Sequence, residues 1–315
     1  MPKIRPHTLK LNLDITLEVK DKLSQEDEDK KKLKASLAEH QIMLEEQQWR
    51  CSVEINYENQ RHKDITTPRE TVITAPDRTN LPANHISLGT SKGVIRCQYP
   101  TENAVPSFLD MLAEKRATVL VVIGEDRILD YPLNKKPYPI YFKNTKDSHN
   151  DMESLAEFKG VPLPSNTPVE CFKLKLENKQ DINDTGKPIG IPVIHVNQWP
   201  DKTSLSVNDL EELARYVNTV SSNKYSIYKN GGSRAVGLPQ KALPVIHCSA
   251  GVGRTGQLIA AMELTNKKST LSLESIIRTL REQGNSNMVQ TEDQMDVLID
   301  LAKMLEKPLW IKDEQ

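Results

Sequence analysis

The chain opens on a strict alternation. Leu9, Leu11, Leu13, Ile15, Leu17 and Val19 share one parity; Thr8, Lys10, Asn12, Asp14, Thr16 and Glu18 share the other. A period of two predicts a half-buried strand over 8–19. Its apolar face must be covered, at the edge of the domain's own sheet or by strand addition from another chain. Residues 20–50 are charged, with Leu33, Leu37 and Leu44 at rough helical spacing, which predicts one or two helices. The charge run at 26–32 reads as a solvated face. From about residue 55 short elements of both kinds mix. Stretches rich in Val and Ile predict strands at 94–98, 117–123, 171–177, 192–198 and 243–248. Helices are expected at 103–114, 205–220, 255–265, 272–282 and 291–305. Pro162, Pro164 and Pro168 punctuate one loop, and residues 222–242, with Gly231-Gly232, form another. The mixture predicts an α/β or α+β domain with a central sheet, and the fold class expected is α/β, a central mixed twisted sheet flanked by helices. It has an N-terminal extension at 1–50 and a main domain at 51–315.

Composition narrows the chemistry. The 315 residues are 37% hydrophobic, enough for a real core, and the formal net charge is −1. That balance gives no global field to recruit nucleic acid or acidic lipid, so an anion site must be built locally. Cys51, Cys97, Cys171 and Cys248 form no Cys-x-x-Cys pair and fit no zinc spacing. They read as free thiols of a reducing compartment. No metal and no other cofactor is expected. The start, Met1-Pro2-Lys3-Ile4-Arg5, is no apolar h-region, so no Sec-type signal peptide is expected, and no apolar run approaches bilayer length.

One stretch carries chemistry. The segment 243–247 is a buried strand ending at His247. Cys248-Ser249-Ala250-Gly251-Val252-Gly253 follows as a tight loop, and Arg254-Thr255-Gly256 opens a helix containing Leu258, Ile259 and Met262. Successive amides of a curled loop make an anion nest, and a helix N-terminus adds donors and positive partial charge. Gly251 and Gly253 permit unusual φ and close backbone approach. Arg254 can close the cradle with its planar fork. Such surroundings lower a thiol from about 8.5 to roughly 3.5–7.5, which would make Cys248 a nucleophile for phosphorus. His247 can fix the loop by hydrogen bonds, and Thr255 can donate its hydroxyl to the sulfur. The glycines also spell Gly-x-Gly-x-x-Gly, a dinucleotide fingerprint. That reading needs a second strand ending in an acidic residue, and residues 271–281 look helical instead.

His-Cys-x-Ala-Gly-x-Gly-Arg-Thr-Gly resembles the signature of the protein tyrosine phosphatase family. The resemblance extends over roughly residues 50–310. It implies hydrolysis of phosphotyrosine through a phosphocysteine, with Cys248 as nucleophile and Arg254 as phosphate clamp. Residues 249–253 would supply the phosphate-binding amides. Trp199-Pro200-Asp201 resembles the family's mobile acid loop. Asp201 would be the general acid and then the base, and Trp199 an anchor. Met288-Val289-Gln290-Thr291-Glu292-Asp293-Gln294 resembles the glutamine loop. Gln290 would orient water and Gln294 support it. Residues 59–65 loosely resemble the phosphotyrosine-recognition loop, with Asp64 accepting from the substrate backbone and His62 standing where an aromatic ring is usual. Glu125 would be the acidic partner of the arginine. Residues 95–100, 197–203 and 288–296 look most similar to tyrosine phosphatase effectors that bacteria inject by type III secretion. That implies delivery into a host cytosol, phosphotyrosine proteins as substrates, and a secretion chaperone as a partner for the N-terminal strand. A dual-specificity phosphatase and a non-catalytic phosphotyrosine-binding module are the alternatives.

Overall fold

The computed structural model describes residues 6–89, 93–124, 138–142, 150–176, 189–222 and 242–311. Eight strands form one mixed sheet in the order β1-β2-β3-β8-β4-β7-β6-β5. They are β1 Val72–Thr74, β2 Asn80–Ile86, β3 Val94–Cys97, β4 Leu120–Ile123, β5 Asn150–Leu155, β6 Val169–Leu176, β7 Ile189–Val196 and β8 Val245–His247. The four central strands run parallel: β8 pairs with β3 and β4, and β4 with β7. Antiparallel strands flank them on both sides. The five strands expected from Val and Ile content are all present. β2 and β5 escape that reading because they carry Asn, Pro and Asp, and β1 because its Val72-Ile73-Thr74 run is only three residues long; the pairing of their neighbours makes them strands.

Among the described residues the helices are α1 Pro6–Cys51, α2 Val105–Glu114, α3 Val207–Ser222, α4 Gly253–Leu264, α5 Leu273–Gln283 and α6 Glu292–Met304. One core lies between one face of the sheet and α3 to α6, and it also takes in Leu33 and Leu37 of α1. The other core is closed by α2 through Phe108, Met111 and Leu112. α4 is buried on every side, so its apolar residues need no single stripe.

The expected strand at 8–19 is helical, part of the 46-residue α1. Among the described residues its alternation has no strand to pair with, and a lone strand leaves its amides and carbonyls unpaired. A helix pairs its own backbone, and propagation from the Lys-, Glu- and Leu-rich segment that follows is far easier than nucleation. The basis for chaperone binding by strand addition therefore falls away. Beyond residue 25, α1 buries Leu33, Leu37, His40, Leu44 and Gln48, one helical stripe at spacings of three and four. Ser36 Oγ donates to Glu274 of α5 at 3.0 Å. Gln48 Nε2 donates to the Arg281 carbonyl at 2.6 Å. Lys30 reaches Asp300 of α6 at 2.7 Å. The expected loop at 222–242 lies, apart from its ends, outside the described residues.

Candidate active site

The carboxyl ends of the parallel strands converge, where open α/β sheets place their ligands. β8 delivers His247 and Cys248 there, β7 leads to Trp199, and β3 leads to Tyr99. All three strands are short and largely buried, so the chain direction at their ends is fixed by the sheet.

After β8 the chain curls back into α4. Gly251 has φ +73, and a Cβ there would stand 2.2 Å from the Cys97 carbonyl oxygen. Only glycine fits both the left-handed backbone and that approach. Tyr99 N donates to Ser249 O at 3.0 Å, Gly256 N to Val252 O at 2.9 Å and Val289 N to Val252 O at 3.3 Å. These loop carbonyls are thus held by partners outside the curl. Among the described residues, the amides of 249–252 donate to no protein acceptor. Cys248 is buried at the base of the curl.

His247 is fully buried, and burial pushes its pKa down to about 3, so the ring is neutral. Its Nδ1 stands 3.2 Å from the Cys248 carbonyl, and its Nε2 meets the Tyr141 hydroxyl. Tyr141 is itself pushed well up by burial and stays a phenol. The two contacts are satisfied together if Nδ1–H donates to the carbonyl and Nε2 accepts from Tyr141.

Arg254 is 4% exposed. Its Nη1 donates to the Trp199 carbonyl at 2.7 Å, and its Nη2 donates to Asp201 Oδ1 at 2.9 Å. One guanidinium thereby joins the loop after β8 to the loop of Trp199 and Asp201. Its Nε has no partner among the described residues. Trp199 is fully buried, and its Nε1 donates to Thr203 O at 3.2 Å, so the indole anchors the loop while Asp201 stays exposed. Thr255 is buried, but among the described residues its hydroxyl has no partner, the Cys248 sulfur included.

The glutamine loop is locked to the same place. Gln294 is fully buried. Its Oε1 accepts from Gln290 N at 2.9 Å and Thr291 N at 3.3 Å, and its Nε2 donates to Thr203 O at 3.1 Å. With Thr291 it also completes a capping box at the start of α6. It therefore ties the glutamine loop to the end of the acid loop. Gln290 is exposed. A Cβ on Gly253 would come within 3.2 Å of Gln290 Oε1, which puts the Gln290 side chain over the start of α4.

His62 reaches the phosphate loop, with Nε2 2.8 Å from Ser249 Oγ. Asp64 does not; it is exposed and lines a depression of about 90 Å³ beside Glu45 and Trp49 of α1. Glu125 lies outside the described residues. Several residues of the site went unnoticed in the sequence. Tyr138 also meets Ser249 Oγ, and the Arg61 guanidinium lies 3.8 Å above the Tyr138 ring. Gln98 accepts from His62 N at 2.8 Å and donates to His62 O at 3.0 Å, fixing that loop. Their one sequence signal is the cluster of aromatics at 138–142. Among the described residues no group of His, Cys, Asp and Glu could hold a metal ion. None of the helices there is long and apolar enough to cross a membrane.

The family model for protein-tyrosine phosphatase matches residues 56–303. The chain belongs to the protein-tyrosine phosphatase family. It is 35% identical over 250 residues to the tyrosine-protein phosphatase YopH of Yersinia pseudotuberculosis, covering 79% of this chain and 51% of that protein. The secreted effector protein SptP of Salmonella typhi is 26% identical over 237 residues, 73% of this chain and 39% of that protein. Mouse tyrosine-protein phosphatase non-receptor type 13 is 26% identical over 215 residues, 66% of this chain and 8% of that protein. The phosphatase thus spans about half the length of the Yersinia relative, and less of the others.

Proposed function

We propose that this phosphatase hydrolyses phosphotyrosine in proteins through a phosphocysteine intermediate. The Arg254 fork carries the reading, because it joins the loop that holds Cys248 to the loop that holds Asp201. In the first step the Cys248 sulfur attacks phosphorus and the bond from phosphorus to the tyrosine oxygen breaks. Asp201 gives its proton to that oxygen, help worth roughly 10²–10⁴ for a poor leaving group. In the second step water attacks phosphorus, the P–S bond breaks, and the Asp201 carboxylate takes the water's proton. Gln290 orients that water, and Gln294 holds Gln290 in place. The amides of 249–253 and the Arg254 Nε serve the equatorial oxygens. A bound dianion also competes with Asp201 for Arg254 Nη2, which frees the carboxyl to turn to the leaving group.

The catalytic unit in this reading is 51–315, with α1 as a buttress. His62 forms the pocket wall beside Ser249, and Asp64, on the same loop, accepts from the substrate backbone. Resemblance to YopH and SptP supports a bacterial effector acting on host phosphoproteins, delivered by type III secretion. Comparing wild type with Cys248→Ser and Asp201→Ala on a phosphotyrosyl peptide tests the scheme. Cys248→Ser should abolish turnover. Asp201→Ala should lower kcat by roughly 10²–10⁴ with little change in binding, and should capture phosphotyrosine proteins from host lysate. Full turnover by Cys248→Ser would remove the mechanism. Equal turnover on phosphothreonine would favour the dual-specificity alternative.

A further inference from the structure

Arg96 lies in the middle of β3, in the interior of the sheet, and is fully buried. Its Nη2 donates to Gly284 O at 2.6 Å, to Thr66 O at 3.3 Å and to the Asn84 side-chain oxygen. Its Nε and Nη1 have no hydrogen-bond partner among the described residues. Among the described residues no carboxylate pairs with it. Burial lowers its pKa only to about 10, so it remains a cation at neutral pH. A buried cation without an anion is among the costliest arrangements a core can hold, and something must offset it.

Register points to the offset. Arg96 pairs with Ile246 of β8, and Cys248 follows two residues on, where a period of two returns to the same face. Val94, Ile246 and Cys248 share one core. With strands about 4.8 Å apart and about 3.3 Å per residue, the backbones of Arg96 and Cys248 stand roughly 8 Å apart. The thiols electrostatically linked to Arg96 are Cys97 and Cys248. Burial pushes the Cys97 thiol well up, so it stays neutral, and Cys248 is the thiol that shares the face of Arg96.

We infer that Arg96 is a positioning residue for the reaction: a permanent cation beneath the phosphate loop that holds Cys248 in its anionic form from below, while Arg254 meets the phosphate from above. The inference rests on Cys248 being the nucleophile. The other titratable groups around the loop are Arg254, Asp201, His62, Arg61, Tyr138, Tyr141, the neutral His247 and Cys97, and none of them changes in the variants that test it.

Three variants separate charge from structure. Arg96→Met removes the cation, Arg96→Lys keeps it, and Asn84→Asp sets a carboxylate where Arg96 already donates, cancelling its field with little change of shape. Alkylation of Cys248 by the neutral reagent iodoacetamide is followed across pH, by mass at Cys248 and by loss of phosphatase activity. At roughly 8 Å and an effective permittivity of about 20, losing the charge moves the midpoint up on the order of one pH unit, or slows alkylation about tenfold at acidic pH. Arg96→Met and Asn84→Asp should both show that displacement, and Arg96→Lys should track wild type. A wild-type profile in Arg96→Met or Asn84→Asp, folded by circular dichroism, overturns the inference; Asn84→Asp alone decides it if Arg96→Met does not fold. Turnover that survives complete alkylation of Cys248 would instead remove the nucleophile on which the inference stands.

Discussion

Replacing Gln294 by Ala should damage stability and catalysis in separable ways. The Gln294 amide is fully buried and holds three backbone groups: Gln290 N, Thr291 N and Thr203 O. Each bond is worth about 0.5–1.5 kcal/mol net, and a buried group left unpaired costs about 1–3 kcal/mol. Water reaches the exposed Gln290 more readily than the others, so the total should be about 2–4 kcal/mol of stability, read as a lower urea midpoint at unchanged slope. The kinetic effect should be selective. Freed from Thr203, the acid loop holds Asp201 less well, and a substrate that needs protonation of its leaving group should suffer more than one that does not. Phenyl phosphate and p-nitrophenyl phosphate differ in that need. The Gln294→Ala variant should lose on the order of tenfold more kcat on phenyl phosphate, about 1.4 kcal/mol of differential barrier. Equal losses on both substrates would refute the link between the glutamine loop and the acid.

Burial of two other side chains sets further outcomes. The His247 ring has a pKa of about 3 in the fold, against about 6.5 in an unfolded chain. Between those values the unfolded chain binds a proton that the fold refuses. This contribution to stability is therefore complete above about pH 6.5 and falls as pH drops towards 3, by about 1.4 kcal/mol per pH unit, or about 2 kcal/mol at pH 5. His40, also lowered by burial, adds in the same direction. Urea melts at about pH 7.5 and about pH 5 should show the loss, and His247→Asn should flatten it; an equally steep loss in that variant would assign it elsewhere. Leu37→Ala should cost about 2–5 kcal/mol, because Leu37 of α1 is 1% exposed in the main core. A change within about 0.5 kcal/mol, the size of an ordinary surface substitution, would mean that α1 is a detachable extension.

The loop after β8 was more legible along the chain than the frame around it. The segment from His247 to Gly256 could be read because each residue type answers a local demand: an anion needs amides, tight turns need glycine, and a dianion needs a guanidinium. The central strands were equally legible, since buried parallel strands must be apolar on both faces. The alternation at 8–19 misled because periodicity reports which residues share a face only once the backbone state is known, and here helix propagation decided that state. Asn84, Arg96 and Gln98 could not be found in advance. Their roles come from what lies across the sheet and across the loop, between residues far apart in the chain. Gln294 was picked out by resemblance alone, and its hold on Thr203 depends on the packing of α6 against the loop that follows Trp199.

Rapid-quench mass spectrometry of the phosphatase mixed with a phosphotyrosyl peptide can catch the phosphoenzyme itself. One phosphoryl group should appear on the proteolytic fragment that contains Cys248, formed and consumed at rates that match turnover, and none should appear in Cys248→Ser. A phosphoryl group on another residue, or turnover with no phosphorylated Cys248 at any quench time, would contradict covalent catalysis by this sulfur.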